Sequence, residues 1–112
     1  MKPTSSTCPA ELTLAMIGGR WKIPIIFHLL AGRQRFSQLA RSLNGVTQKM
    51  LTQQLREMER NGLVTRNVYP QVPPKVEYSL TELGASLKPV VEAMCQWGEL
   101  HGMRRDIIEI GQ

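Results

Sequence analysis

At Gly62 the hydrophobic period of this chain changes, and that change constrains the fold more than any other feature. Upstream, Leu51, Leu55 and Met58 fall within about 60° of one another at roughly 100° per residue, the core stripe of an amphipathic helix. Downstream, Leu63 to Tyr69 and Lys75 to Leu80 carry enough β-branched and aromatic residues to read as two strands. Between them lies Pro70-Gln71-Val72-Pro73-Pro74, where three prolines permit only a loop. The C-terminal half of any core must therefore be a helix followed by a hairpin with a proline-rich tip.

The segments around this unit read as further helices. Thr47 is the expected N-cap of the Leu51 helix, and Asn61-Gly62 its stop. Ahead of it, Arg35-Phe36 lead to Ser37, the expected cap of a short helix with Leu39, Ala40 and Leu43 as its apolar positions, and Asn44-Gly45 makes the turn between the two. A helix following Trp21 is expected to reach Ala31, with Pro24 tolerated in its first turn and Gly32 at its end. Pro9 to Ile17 forms another, with Pro at the first helical position, Glu11 in the first turn and Gly18-Gly19 as the stop. It is apolar nearly all round, so both its faces should be covered. At the other end Thr81 caps a long helix whose stripe is Leu83, Leu87, Val90, Val91, Met94, Trp97 and His101, with a kink expected at Pro89. Met103 to Ile110 repeats a short amphipathic pattern. Trp21 and Phe36 are expected in the core, and His28 as a satisfied or exposed helix residue.

Two short helices joined by a glycine-containing turn and followed by a hairpin make a winged helix-turn-helix, an α+β fold that is mainly α. In that plan the Ser37 helix supports the Thr47 helix, the latter enters the major groove of DNA, and the Pro70 to Pro74 loop touches the adjacent backbone or minor groove. With 112 residues the chain has room for one domain, with a DNA-binding core at about 20–80 between flanking helices at about 9–18 and 81–101. No apolar run approaches the roughly 20 residues needed to span a bilayer, so no membrane partner is expected. The first residues have no apolar signal core, and the cytoplasm is the expected compartment. Cys8 and Cys95 cannot make a disulfide framework, and with His28 and His101 they show no zinc-ligand spacing, so no metal is expected. No nucleophile and base, no paired carboxylates and no phosphate-binding loop occur, so neither an enzyme nor a cofactor site is expected.

Charge points the same way. From Arg20 to Lys75 there are ten basic residues against Glu57 and Glu59 alone, a local charge of +8, while four basic and seven acidic residues flank that segment. A basic middle between acidic ends matches a central region that faces a polyanion. Opposite the Leu51 stripe lie Lys49, Thr52, Gln53, Arg56 and Arg60, the residue types that reach phosphates and base edges. Ser37 on the supporting helix, with Arg66 and Lys75 near the wing, completes the candidate contacts to double-stranded DNA. Glu57 and Glu59 on the same helix favour the plainer alternative of a solvated surface.

Several stretches resemble the HxlR-type winged-helix transcriptional regulators, relatives of the MarR-like group. They are Cys8-Pro9, Gly19-Arg20-Trp21-Lys22, Arg35-Phe36-Ser37-Gln38-Leu39, Lys49 to Leu55, Gly62 to Arg66, Pro73 to Gly84 and Trp97-Gly98. The resemblance implies a homodimer that binds inverted-repeat operator DNA, has no catalytic activity, and in several members senses electrophiles or oxidants through a cysteine near the N-terminus. Under it, the Pro9 helix and the stripe ending at Trp97 are assigned to a two-fold interface.

Cys8 is then the candidate redox-sensing residue. Pro9 places it at an N-cap, where free backbone N–H groups and the helix dipole favour the reactive thiolate, while Glu11 can reach back to its amide and oppose that effect. Cys95, on the other interface helix, is its candidate partner across the dimer. The competing reading is a winged helix that contacts protein or RNA without redox sensing, which would present an apolar outer face on the Thr47 helix. No small-molecule effector can be read from the sequence.

Overall fold

Each turn of the chain is set by a residue that ends one element or caps the next. The computed structural model describes residues 8–102. Helix α1 (Pro9–Ile17) opens on proline and stops at Gly18. Helix α2 (Lys22–Leu29) ends two residues earlier than the sequence pattern reached, and the chain turns through Gly32 at φ +137°. A two-residue strand β1 (Gln34–Arg35) leads straight into α3 (Phe36–Ser42).

The α3 N-cap is Arg35, not Ser37, because the Gln38 carboxamide accepts a hydrogen bond from the Arg35 amide at 2.7 Å. Ser37 therefore sits inside the first turn, exposed. Helix α4 (Gln48–Arg60) begins as expected, with Thr47 Oγ1 accepting from the Met50 amide at 3.0 Å. It ends at Asn61, and Gly62 carries the chain away at φ +76°.

Strands β2 (Val64–Tyr69) and β3 (Lys75–Leu80) form the antiparallel hairpin, with Val64 opposite Leu80 and Tyr69 opposite Lys75. The sheet is three-stranded rather than two-stranded. Strand β1 pairs on the other edge of β3, Gln34 with Tyr78 and Arg35 with Glu77, giving the order β1-β3-β2. This ties the start of α3 to the wing.

The expected long C-terminal helix is two helices. Thr81 Oγ1 accepts from the Gly84 amide and donates to the Gly62 carbonyl, opening the short α5 (Glu82–Ala85). Helix α6 (Lys88–Trp97) then starts afresh with Pro89 in its first turn, followed by a π-helical turn at Gly98–Gly102. Pro89 lacks the N–H that would continue a helix from α5, so instead of kinking one helix it begins another. Met103 to Ile110 lies outside the described residues.

The core gathers Ile17, Trp21, Ile25, Ile26 and Leu29 with Leu39, Leu43, Leu51, Leu55, Met58, Leu63, Val64, Tyr78 and Val91. Phe36 packs on its margin, half-buried, and His28 meets Phe27 edge-on. From α1 and α6 only Ile17 and Val91 are fully buried. Leu12, Leu14, Met94, Trp97 and Leu100 remain exposed, so the faces expected to be covered are open in the single chain. Among the described residues, no helix is long and apolar enough to cross a membrane.

Candidate nucleic-acid interface

Helix α4 divides cleanly by face. Leu51, Leu55 and Met58 are buried, and Lys49, Gln53, Arg56 and Arg60 are exposed, spaced four, three and four residues apart along one side. Thr52 is half-buried beside them. The packing of the apolar stripe thus aims the polar face outward. A rigid helix with cations and amides on its free side is what direct reading of a nucleic-acid groove requires.

Between α4 and the wing runs an open cleft of about 620 Å³. Its lining draws Ser37 from α3, Thr52 and Arg56 from α4, Arg66 from β2 and Lys75 from β3. Five of the sequence candidates thus come together although they lie on four elements. Lys49, Gln53 and Arg60 line a second hollow on the other flank of α4, where Thr52 and Arg56 also contribute. The polar face is a ridge with a groove on each side.

Arg35, Gln48 and Glu59 also line the cleft and are absent from the sequence candidates. Arg35 is brought there by the β1–β3 pairing, a contact between segments distant in sequence. Gln48 carried a readable signal, since it is the residue after the Thr47 cap and one turn before Thr52. Glu59 is an exposed acid within the cleft, where it opposes an anion, and Glu57 lines the second hollow.

The other acid on α4 is neutralised. Lys22, only 8% exposed, directs its Nζ to Glu57 Oε1 at 2.7 Å and to Gln54 Oε1 at 2.8 Å. The hydrogen bond and the charge of Lys22 hold the Glu57 carboxyl below its ordinary range, with a smaller contribution from Arg60. Glu57 therefore belongs to the α2–α4 contact.

On the wing the balance differs from residue to residue. Lys75 lies over the Tyr69 ring at 4.5 Å and 3.9 Å from Glu77, and Arg33 approaches the same carboxylate at 3.7 Å. Among the described residues, Arg35, Lys49, Arg56, Arg60 and Arg66 have no carboxylate within ion-pair distance. Of these uncommitted charges, three sit on α4 and one each on β1 and β2.

Both cysteines are exposed free thiols. Cys8 is the α1 N-cap, and its amide donates to Glu11 Oε1 at 3.0 Å, the reach-back expected from the sequence. Cys95 lies on α6, two residues before the exposed Trp97 and so about 200° around the helix from it. Among the described residues, no three His, Cys, Asp or Glu side chains gather as a metal site.

The family model of HxlR-like helix-turn-helix proteins matches residues 16–106. The HTH-type transcriptional regulator YybR of Bacillus subtilis (strain 168) is 50% identical over 107 residues, covering 96% of this chain and 83% of YybR. Among solved structures, the redox regulator HypR in its reduced form superposes with a TM-score of 0.80 at 53% identity, over 83% of this chain and 92% of that one. The reduced form of the transcriptional regulator YodB from B. subtilis gives 0.75 at 37% identity, over 89% and 99%.

Proposed function

Since the chain belongs to the HxlR-like helix-turn-helix family of transcriptional regulators, which are not enzymes, we propose that it is a sequence-specific DNA-binding regulator acting as a homodimer on an inverted-repeat operator. The observation that carries this reading is the outer face of α4, where Lys49, Gln53, Arg56 and Arg60 stand opposite a fully buried apolar stripe. In the major groove, Arg56 and Gln53 read guanine and adenine edges, and Lys49 and Arg60 hold phosphates. Arg66 and Lys75 on the wing, with Ser37 on α3, grip the flanking backbone. An apolar α4 face would have favoured a protein-binding winged helix; this face is polar throughout.

Dimerisation accounts for the uncovered apolar residues at both ends. Leu14 is 60% and Trp97 64% exposed, apolar surface on the flanking helices that a second copy would cover. In this reading, residues of about 20–80 form the DNA-binding core, and α1 with α5 and α6 form the two-fold interface that fixes the spacing of the two α4 helices.

Cys8 is the sensing residue in this proposal. It stands exposed at the head of an interface helix. HypR is named a redox regulator, and YodB has been solved both reduced and after diamide treatment. When diamide takes up two electrons and two protons, the Cys8 sulfur is left in a disulfide, for which Cys95 of the second protomer is the candidate partner. A bond formed there changes the angle between the protomers and so the fit of the two α4 helices to their half-sites.

A footprint on the DNA upstream of the protein's own gene and of the neighbouring gene, run with and without diamide, tests the proposal. A protected inverted repeat that diamide releases supports it. Protection by a single half-site, or no protection beyond that seen with unrelated DNA, overturns it.

A further inference from the structure

Arg20 has no part in the interface described above, yet it is held in an unusual way. It lies in the loop between α1 and α2, exposed, with its guanidinium carbon 4.5 Å from the centroid of the Trp21 ring. Trp21 is itself a core residue, so the platform beneath the guanidinium is fixed. The side chain reaches the turn between α3 and α4: its Nη2 stands 3.9 Å from where a Cβ on Gly45 would sit. Among the described residues it has neither a carboxylate nor a hydrogen-bond partner.

These observations fit together. A guanidinium stacked on an aromatic face keeps its N–H donors free at the edge, and the stacking removes much of the rotamer freedom that a long side chain would otherwise lose on binding. The turn it reaches leads into the first residues of α4. Where a recognition helix enters the major groove, its N-terminal residues approach the base edges, and the segment before it stands at the groove rim, where the phosphates run. An exposed, unpaired and pre-oriented arginine at that rim is suited to a phosphodiester oxygen, which its planar fork meets with two N–H groups.

We propose that Arg20, clamped on Trp21 beside the Gly45 turn, is a phosphate contact of the bound DNA, one per protomer, extending the interface onto the α1–α2 loop. The inference rests on the DNA-binding reading of α4 and deepens it. Because the contact is to backbone, it adds affinity to every sequence equally and carries none of the base preference.

The test measures binding of the full-length protein to a fluorescein-labelled duplex of arbitrary sequence and to the footprinted operator, between about 50 and about 200 mM salt. Each phosphate contact contributes about 0.9 to the slope of log affinity against log salt, so Arg20→Gln in both protomers should lower the slope by about 1.8. The loss of affinity across that salt range then becomes roughly tenfold smaller than in wild type. The weakening should be the same on both duplexes. Arg20→Lys, which keeps the charge but not the fork, should retain most of the slope.

Arg56→Gln is measured alongside, with thermal melting of every variant. If wild type binds and Arg56→Gln weakens it while Arg20→Gln leaves affinity and slope unchanged, Arg20 is no contact and the reading of α4 stands. A loss in Arg20→Gln confined to the operator, or an equal loss of slope in Arg20→Lys, also overturns the inference. A wild type that binds neither duplex overturns both. A loss of affinity with a lowered melting temperature but an unchanged slope marks a structural role for the Arg20–Trp21 stack and counts against the proposal.

Discussion

Lys22 and Glu57 form the ion pair that joins α2 to α4 from behind, with 2.7 Å between Nζ and Oε1. The lysine side chain is 10% exposed and the carboxylate 33%, so the pair straddles the edge of the core. It does two things at once. It seats α4 on its neighbour, and it neutralises a negative charge on the helix whose outer face is proposed to meet DNA.

A pH dependence follows from the direction of the Glu57 shift. Its carboxyl is held below the ordinary value of 4.5 in the folded chain, so the pair's contribution to stability is complete above that value and is lost as pH falls through the lower folded-state value. Denaturant titrations from neutral pH down to about pH 3 should show wild type losing stability more steeply than Glu57→Gln in this window. Lys22→Met, which strands the carboxylate at the core edge, should cost about 1 to 3 kcal/mol at neutral pH. Parallel pH profiles for wild type and Glu57→Gln would show that the pair contributes nothing.

Gly84 supports the second stability prediction. It is buried in α5, and a Cβ there would run into the backbone carbonyl of Leu63, which also accepts from the Thr81 amide at 3.0 Å. Backbone cannot swing aside as a side chain does. Gly84→Ala should therefore destabilise by about 1 to 3 kcal/mol despite the better helix propensity of alanine. Thermal or chemical unfolding measures it, and an unchanged midpoint would contradict the tight packing of α5 against Leu63.

Much of this could be read in the sequence wherever the signal was local. Thr47, the Leu51-Leu55-Met58 stripe, the Gly62 stop and the hairpin from Val64 to Leu80 depend on residues within a turn or two of each other, and the structure has them where the pattern placed them. What escaped depends on contacts between distant segments. Strand β1 is only Gln34–Arg35, too short to show any period, and it exists because β3 has a free edge for it. The same pairing carries Arg35 into the cleft. Ser37 was the natural choice for the α3 cap by residue type, but the Gln38 side chain serves the Arg35 amide one residue pair earlier and moves the helix start. At Pro89 the missing donor was legible; that the break comes just ahead of it shows only in the structure, where the Leu87 amide donates to Gly84 three residues back before the Val91 amide donates to Leu87 and α6 begins.

On the proposed DNA surface, residues of different standing should fail differently. Gln53→Ala or Arg56→Ala should cost about 1 to 3 kcal/mol on the operator and relax preference at one position per half-site. Arg66→Ala should weaken all sequences alike and flatten the salt dependence. Lys75→Ala should do less, since Lys75 already shares Glu77 and the Tyr69 ring. Fluorescence anisotropy across a salt series separates these, and four variants that bind like wild type would remove α4 from the groove.

For the thiol, the decisive comparison is wild type against Cys8→Ser after exposure to diamide or a quinone. The expected result is loss of operator affinity in wild type and its retention in the variant, both restored to equality by a reductant. Cys95→Ser should also resist release if the two cysteines pair across the dimer. Equal loss in wild type and Cys8→Ser, or no loss in either, shows that Cys8 is not the sensor.

Whether the polar face of α4 reads sequence from a symmetric dimer can be decided by selecting bound duplexes from a random pool with wild type and with Arg56→Ala, after sizing both by sedimentation. The expected result is a dimer that enriches an inverted repeat with half-site centres about one helical turn apart or a multiple of it, and a variant that is still a dimer but loses preference at one matching position in each half. A monomer, a pool with no enriched sequence, or an enriched site identical for wild type and Arg56→Ala would contradict it.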